Sequence, residues 1–247
     1  MTTALAAAAS GMQYNQNVLD VIGNNVANVN SFAFKKSRAV AEGRPDATAS
    51  PDTARMGVAD TTVDLLFNAA ADQTTDSPLN FAIQDDTFFP VHDLDGSVVY
   101  TRFGGLSTDS AGNVTAFGGR LLEPNVIVPE GMHDPSIDQS GVITAKDDAG
   151  LTTQIGQLTL TRFTNPQGLE TLGDGLYRES VNTGAATTGT PGTDGFASII
   201  PGAVEASNVD LAEEFTNMIM AQRAYQASAK SFSVGDEMLA TATDLTR

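Results

Sequence analysis

His92 and His133 are the only imidazoles in this 247-residue chain. Neither has a second ligand at the spacing of a His-Glu-x-x-His metal site. Asp93-Leu94-Asp95-Gly96 resembles the start of a calcium loop, but the distal Glu and the further oxygen ligands such a loop needs are missing. The segment reads as a hairpin turn instead. Asp85-Asp86 and Asp147-Asp148 read likewise as strand-end or turn residues. The chain has no Gly-x-Ser-x-Gly elbow to expose a nucleophile, no phosphate loop and no dinucleotide fingerprint. A carboxylate pair of the glycosidase kind, drawn from distant parts of the chain, is a pattern that spacing alone does not reveal. Cysteine is absent, which removes disulfides and thiolate metal ligands. The expectation is a chain with no catalytic residue, no metal and no cofactor.

The regular spacing lies elsewhere, in a seven-residue apolar repeat at each end. Leu5, Met12, Leu19 and Val26 carry it at the N-terminus, and Leu211, Met218, Tyr225, Phe232 and Leu239 at the C-terminus. A strict heptad drifts around a straight helix by about 20° per repeat, so holding it favours helices that supercoil on partner helices. The first helix is predicted from about Thr3 to Asn28. Its second stripe, Ala8, Asn15, Ile22 and Val29, is thin, and Gly11 and Gly23 each cost about 1 kcal/mol relative to Ala. Such a helix draws most of its stability from packing. Asn24, Asn25, Asn28 and Asn30 end it by competing for local backbone hydrogen bonds.

The second helix is predicted to be capped by Ser207 or Asn208, with Asp210, Glu213 and Glu214 suiting the positive end of its dipole. Running to about Leu245, it would span roughly 57 Å at ~1.5 Å per residue. Two such ends are expected to pack on each other or on neighbouring copies, which is assembly rather than catalysis. A stripe that merely covers a sheet in a monomer is the simpler alternative, weakened because both ends share the feature.

Between the ends the pattern changes. Residues 39–78, rich in Ala, Asp and Thr with Pro45, Pro51 and Pro78, read as an extended connection with a strand or two within Val58 to Phe67. From Leu79 onward, short β runs alternate with Gly and Asp-Gly turns. Phe88-Phe89, Asp95-Gly96 and Val98-Val99-Tyr100 form the clearest hairpin signal. Residues 182–195 read as an exposed loop of Thr, Gly, Ala and Pro.

The net charge of −17 is uneven: residues 1–38 carry +2, residues 39–207 carry −16 and residues 208–247 carry −3. So acidic a surface disfavours nucleic acid and anionic membrane. No run of about 18 apolar residues predicts a membrane span. The stretch Ala4 to Ala9 lacks a basic n-region and is soon followed by Gln13, Asn15, Gln16 and Asn17, so no cleaved signal peptide is expected.

Read as motifs, Ser10-Gly11-Met12 and the run Leu19-Asp20-Val21-Ile22-Gly23-Asn24-Asn25-Val26-Ala27-Asn28-Val29-Asn30 resemble the N-terminal signature of bacterial flagellar rod and hook proteins. Glu205-Ala206-Ser207-Asn208-Val209, Glu213-Glu214, Met218-Ile219 and Gln222-Arg223-Ala224-Tyr225 resemble the matching C-terminal signature. The likeness continues through Phe88-Phe89, Tyr100-Thr101-Arg102 and Gly175-Leu176-Tyr177-Arg178, and so covers most of the chain. One departure is Ser31-Phe32-Ala33-Phe34, where the family commonly has Thr-x-Gly-aromatic.

The resemblance implies an α+β fold. Terminal segments 1–38 and 205–247 would form a coiled-coil assembly domain, 39–78 an extended connection, and 79–204 a mostly antiparallel β-rich outer domain. It implies a structural subunit that polymerises helically into a hollow axial shaft, transmits torque and passes exported subunits. Its position would be distal in the rod, from the C-terminal third, with a proximal rod or hook-type position as the alternative because residues 39–78 look short. The assembly interface implied comprises Leu5, Met12, Leu19, Ile22, Asn24, Asn25, Val26, Asn28, Leu211, Phe215, Met218, Ile219, Gln222, Tyr225, Phe232 and Leu239. Expected partners are further copies of the chain, other rod and hook proteins, ring or bushing proteins around the rod, and the export apparatus. The expected location is the basal body within the cell envelope and periplasmic space, reached without a cleaved signal. A secreted β-domain binding module is the rival from another class, but it would need an aromatic platform, and the chain has no Trp and four Tyr.

Overall fold

The computed structural model describes residues 2–45, 55–193 and 195–244. The chain divides into two compact units: Met1–Val29 with Lys36–Leu66 and Val209–Arg247, and Asn30–Lys35 with Phe67–Asn208.

The first unit holds helix α1 (Thr2–Ala27), strands β1 (Ser37–Pro45) and β2 (Arg55–Leu65), and helix α2 (Leu211–Asp244). At 34 residues, α2 is about 51 Å long; the expected end at Leu245 lies outside the described residues. Its cap is Asp210 rather than Ser207 or Asn208: the Asp210 carboxylate accepts from the amides of Ala212 at 2.8 Å and Glu213 at 3.3 Å. β1 begins just before the segment 39–78, and β2 overlaps the Val58 to Phe67 stretch expected to hold a strand or two; they pair antiparallel from Ser37 opposite Leu65 and Arg38 opposite Asp64. Backbone amides find partners in a ladder that an isolated connection would have left to water. Pro51 lies outside the described residues.

The second unit is mostly antiparallel β structure. Its strands are β3 (Asp72–Thr74), β4 (Phe81–Ala82), β5 (Thr87–His92), β6 (Val98–Thr101), β7 (Ser107–Thr108), β8 (Val114–Ala116) and β9 (Arg120–Leu122). They continue with β10 (Met132–Ile137), β11 (Val142–Asp147), β12 (Thr152–Gln157), β13 (Leu160–Phe163) and β14 (Glu170–Gly173). The last are β15 (Leu176–Arg178), β16 (Ala186–Gly189), β17 (Ile200–Pro201) and β18 (Ala203–Glu205). The main sheet runs β14-β15-β6-β5-β9-β8-β7, with β13 joining β5 to β16, and β10-β11-β12 form a second sheet. Phe81, Phe89, Val91, Val99, Ile143 and Leu160 are fully buried in the core. Each contributes about 1.5–3 kcal/mol of apolar burial.

The acidic turns have one design. In Asp93–Ser97, Asp109–Asn113, Asp138–Val142 and Asp147–Leu151 the amide of the first residue donates to the carbonyl of the last, and the first carbonyl accepts the amide of a Gly at the fourth place, which has positive φ. In the latter three the leading Asp carboxylate also accepts the amides two and four residues on, at 2.8–2.9 Å. These carboxylates close hairpins. The calcium-like fragment Asp93–Gly96 is one of them.

Candidate assembly interface

α1 and α2 pack antiparallel. Gly11 faces Ser228 and, further along, Leu5 faces Gly235: a Cβ on Gly11 would sit 3.2 Å from Ser228 Oγ, and one on Gly235 2.7 Å from Leu5 Cδ2. The residues of α2 buried against its own unit are Glu214, Ala221 and Gly235, with Ser228 half-buried between them. Those four positions are seven apart, so α2 carries a second heptad made mostly of small residues beside the heptad of large ones. Small side chains let the two backbones approach closely, so this stripe forms the centre of the contact.

The large heptad is left at the edge. Met218 and Leu239 are half-buried, while Leu211 is 40%, Tyr225 39% and Phe232 39% exposed. Phe215 and Ile219, next to them around the helix, are 50% and 59% exposed, and Gln222 is exposed as well. On α1 the named positions face inward: Ile22 is buried, Leu5, Met12, Leu19 and Val26 are half-buried, and Asn24 is exposed. Asn25 serves its own unit. Its amide donates to the Ser37 carbonyl and its carbonyl accepts the Ser37 amide, both at 2.9 Å, so it closes the start of β1 as a strand partner would. Asn28 donates to the Asn24 carbonyl at 3.0 Å and finishes the helix.

A groove of about 470 Å³ opens in this unit between α1, β1 and α2. Tyr14, Val18, Ile22, Met220 and Ala221 give it apolar walls, and Lys36, Arg38, Glu213 and Glu214 supply its charges. Lys36 Nζ donates to Glu213 at 2.9 Å.

In the second unit, three charged residues from distant parts of the chain meet. Glu205 accepts from Lys35 Nζ at 2.6 Å and from Arg102 Nε at 2.9 Å, and the Ala70 amide also reaches its carboxylate. Arg102 donates onward to the carbonyls of Asp85 and Thr87, and Lys35 to that of Asn68. All three side chains are fully buried. Burial pushes the Glu205 carboxyl up, but Arg102 and Lys35 more than offset this and hold it below its ordinary value. Burial and the Arg102 charge push the Lys35 ammonium down. Tyr177, packed edge-on to Phe88 and Phe67, has its hydroxyl pushed up to about 12 by burial. Sequence spacing gives no hint of this clasp; Arg102 and Glu205 each lie in a motif quoted above, and Lys35 in none.

Among the described residues no cluster of three or more His, Cys, Asp or Glu could hold a metal ion, and no helix is long and apolar enough to cross a membrane.

Residues 5–35 match the family described as flagella basal body rod protein, residues 82–145 the D1 domain of flagellar hook protein FlgE/F/G, and residues 200–245 the C-terminal part of flagellar basal body rod FlgEFG protein. The flagellar basal-body rod protein FlgG of Caulobacter vibrioides is 36% identical over 98% of both chains. The chain belongs to the flagellar basal-body rod family. FlgG of Bacillus subtilis is likewise 36% identical over the full length of both. The flagellar hook protein FlgE of Treponema pallidum is 46% identical over 45% of this chain and 24% of its own. Membership makes the chain a structural rod subunit of the flagellar basal body and not an enzyme. The motif likeness at both termini and in the middle thus reflects descent along the whole chain.

Proposed function

We propose that this subunit polymerises helically through its terminal helices, at a distal position in the rod, into a hollow shaft that transmits torque and passes exported subunits. The observation that carries the reading is the division of labour on α2. Small residues meet α1, while Leu211, Phe215, Ile219, Tyr225 and Phe232 stay exposed. Apolar surface of that extent on one helix marks an interaction face, and copies of the chain that cover it would pack as a coiled coil. The assembly interface is therefore the set Leu5, Met12, Leu19, Ile22, Val26, Leu211, Phe215, Met218, Ile219, Gln222, Tyr225, Phe232 and Leu239, with Asn24, Asn25 and Asn28 shaping the end of α1.

Partners of this reading are further copies of the chain, neighbouring rod and hook proteins, surrounding ring or bushing proteins, and the export apparatus. The shaft stands in the periplasmic space, and its subunits leave the cell without a cleaved signal. Assembly supplies the apolar partner surface that a single copy lacks. A subunit deleted for residues 209–247, expressed in a strain lacking its own copy, is expected to build no rod while its β structure persists by circular dichroism. Rods built from the deleted subunit would overturn the reading.

A further inference from the structure

The helical unit carries apolar surface on two opposite sides of α2. One side is the groove, whose α2 lining centres on Asn217. At about 100° per residue, Glu213, Glu214, Met220, Ala221 and Ala224 all lie within about 60° of that position around the helix. Tyr14, Val18, Val21 and Ile22 of α1 line it as well. The groove's charges are matched among themselves: Lys36 pairs with Glu213 at 2.9 Å, and Lys36 and Arg38 together balance Glu213 and Glu214. What it leaves open is apolar, for Met220 is 57% exposed.

The other side is a knob. Phe215 and Ile219 stand two residues before and two residues after Asn217, so each lies about 160° around α2 from the centre of the groove lining. One turn apart, they are neighbours on the helix surface, and they are 50% and 59% exposed. Neither reaches the groove of its own chain. Knob and groove lie at the same height on α2, on opposite sides, so each copy offers both halves of a heterologous contact. Such a contact repeats head to tail and generates an open helical filament when it does not close. The chain belongs to a family of rod subunits, which makes a second copy the occupant. The groove's volume of about 470 Å³ lies in the range of roughly 300–1,000 Å³ that holds a drug-sized molecule, so it has room for two side chains. An uncharged knob suits a site whose charges are already matched; a cation would add one without a partner.

We propose that Phe215 and Ile219 of one copy seat in the α1–β1–α2 groove of the next, against Tyr14, Val18, Ile22 and Met220. The proposal rests on the assembly reading above and names the two surfaces that meet. The test uses full-length chains expressed in a strain lacking its own subunit. Phe215→Asp and Ile219→Asp alter exposed positions, so each variant should keep its helical circular dichroism. Each sets a carboxylate against apolar walls, so isolated rods should fall at least tenfold. A chain with both Phe215→Ala and Ile219→Ala, which keeps helix propensity and charge, carries the test if Asp loosens α2. The chain has no cysteine, so any disulfide is an engineered one. One chain carries Ile219→Cys with Val18→Cys, a second Ile219→Cys with Met220→Cys. Mild oxidation of their rods should give a covalent ladder running beyond the dimer for at least one of the two, and none for Ile219→Cys alone. Rod loss in the knob variants together with such a ladder supports the contact. Wild-type rod numbers with the knob variants, no ladder from either pair, or dimers from Ile219→Cys alone, which would set knob against knob, would each overturn the proposal. If it is overturned while deletion of residues 209–247 still abolishes rods, the assembly reading stands without this contact.

Discussion

The Lys35 ammonium lies 2.6 Å from Oε1 of Glu205, 170 residues later in the chain, and neither side chain is accessible. Glu205 also accepts a hydrogen bond from Arg102 Nε at 2.9 Å, so one carboxylate balances two buried cations. Removing the carboxylate leaves both uncompensated. Glu205→Gln is therefore expected to destabilise the β unit by about 3–5 kcal/mol. Lys35→Met should cost less, because Arg102 still balances Glu205. Urea unfolding followed by β-sheet circular dichroism ranks the two, and an equal or reversed order would mean that Arg102 and Lys35 do not share the anion.

The same clasp sets a pH dependence. The native Glu205 carboxyl is held below its unfolded value, so the native state keeps it ionised where the unfolded chain protonates it. The stability it adds is complete above the ordinary carboxylate range and falls as pH drops through the native value. Urea midpoints taken between neutral and strongly acid pH should decline for the wild type and decline less for Glu205→Gln. Parallel curves would remove Glu205 as the source.

Which parts of this were legible in the sequence follows from what each contact needs. The Asp-x-x-Gly turns were legible, because a chain reversal demands a residue that tolerates positive φ and a short side chain that accepts nearby amides. The large heptad was legible as apolar periodicity. The heptad that meets α1 was not, since Ala221, Ser228 and Gly235 act by being small and leave no hydrophobic signature. Lys35, Arg102 and Glu205 escaped for another reason. Isolated charges separated by 67 and 103 residues have no spacing to read, and only the folded β unit brings them together. Asp210 was read as a first-turn charge, though its position one residue before Leu211 makes it the cap.

The four similar turns should respond differently to alanine. Gly112 and Gly150 have φ of 84° and 82°, so Ala at either meets left-handed strain of about 1–2 kcal/mol. A Cβ on Gly150 meets nothing within 4 Å, whereas one on Gly112 would lie 2.6 Å from the Val128 carbonyl oxygen. Gly112→Ala is expected to lower the melting temperature of the β unit several degrees more than Gly150→Ala does. Equal losses would show that the Val128 backbone yields freely.

Ala33 holds a left-handed turn: its φ is +54°, it is 2% exposed, and its amide donates to the Glu205 carbonyl at 2.8 Å. Left-handed strain of about 1–2 kcal/mol is opposed in Ala33→Gly by about 0.4–1 kcal/mol of unfolded-chain entropy and a lost buried methyl. The two nearly cancel, so Ala33→Gly should stay within about 1 kcal/mol of the wild type. Ala33→Val adds a branched side chain to a buried, left-handed position and should cost at least about 2 kcal/mol. Comparable denaturation midpoints for the Gly and Val variants would show that this turn relaxes to an ordinary conformation.

Tyr225 separates assembly from folding. It sits in the middle of the large heptad, one repeat from Met218 and from Phe232, and 39% of its surface is exposed beside the α1 contact. In the proposed filament a neighbouring copy covers what remains, where an aromatic adds large buried area. Tyr225→Asp would place a carboxylate in that desolvated seam at a cost of several kcal/mol, repeated in every subunit. In the single chain the substitution removes only part of the α1–α2 packing, and the β unit does not contain the residue. Rods and motility should therefore be lost, the helical unit should loosen by about 1–2 kcal/mol, and the melting temperature of the β unit should stay unchanged. Normal rod formation by Tyr225→Asp would place the contact between copies on another face of α2, while collapse of the isolated helical unit would mean that the large heptad, and not the small one, holds α2 to α1.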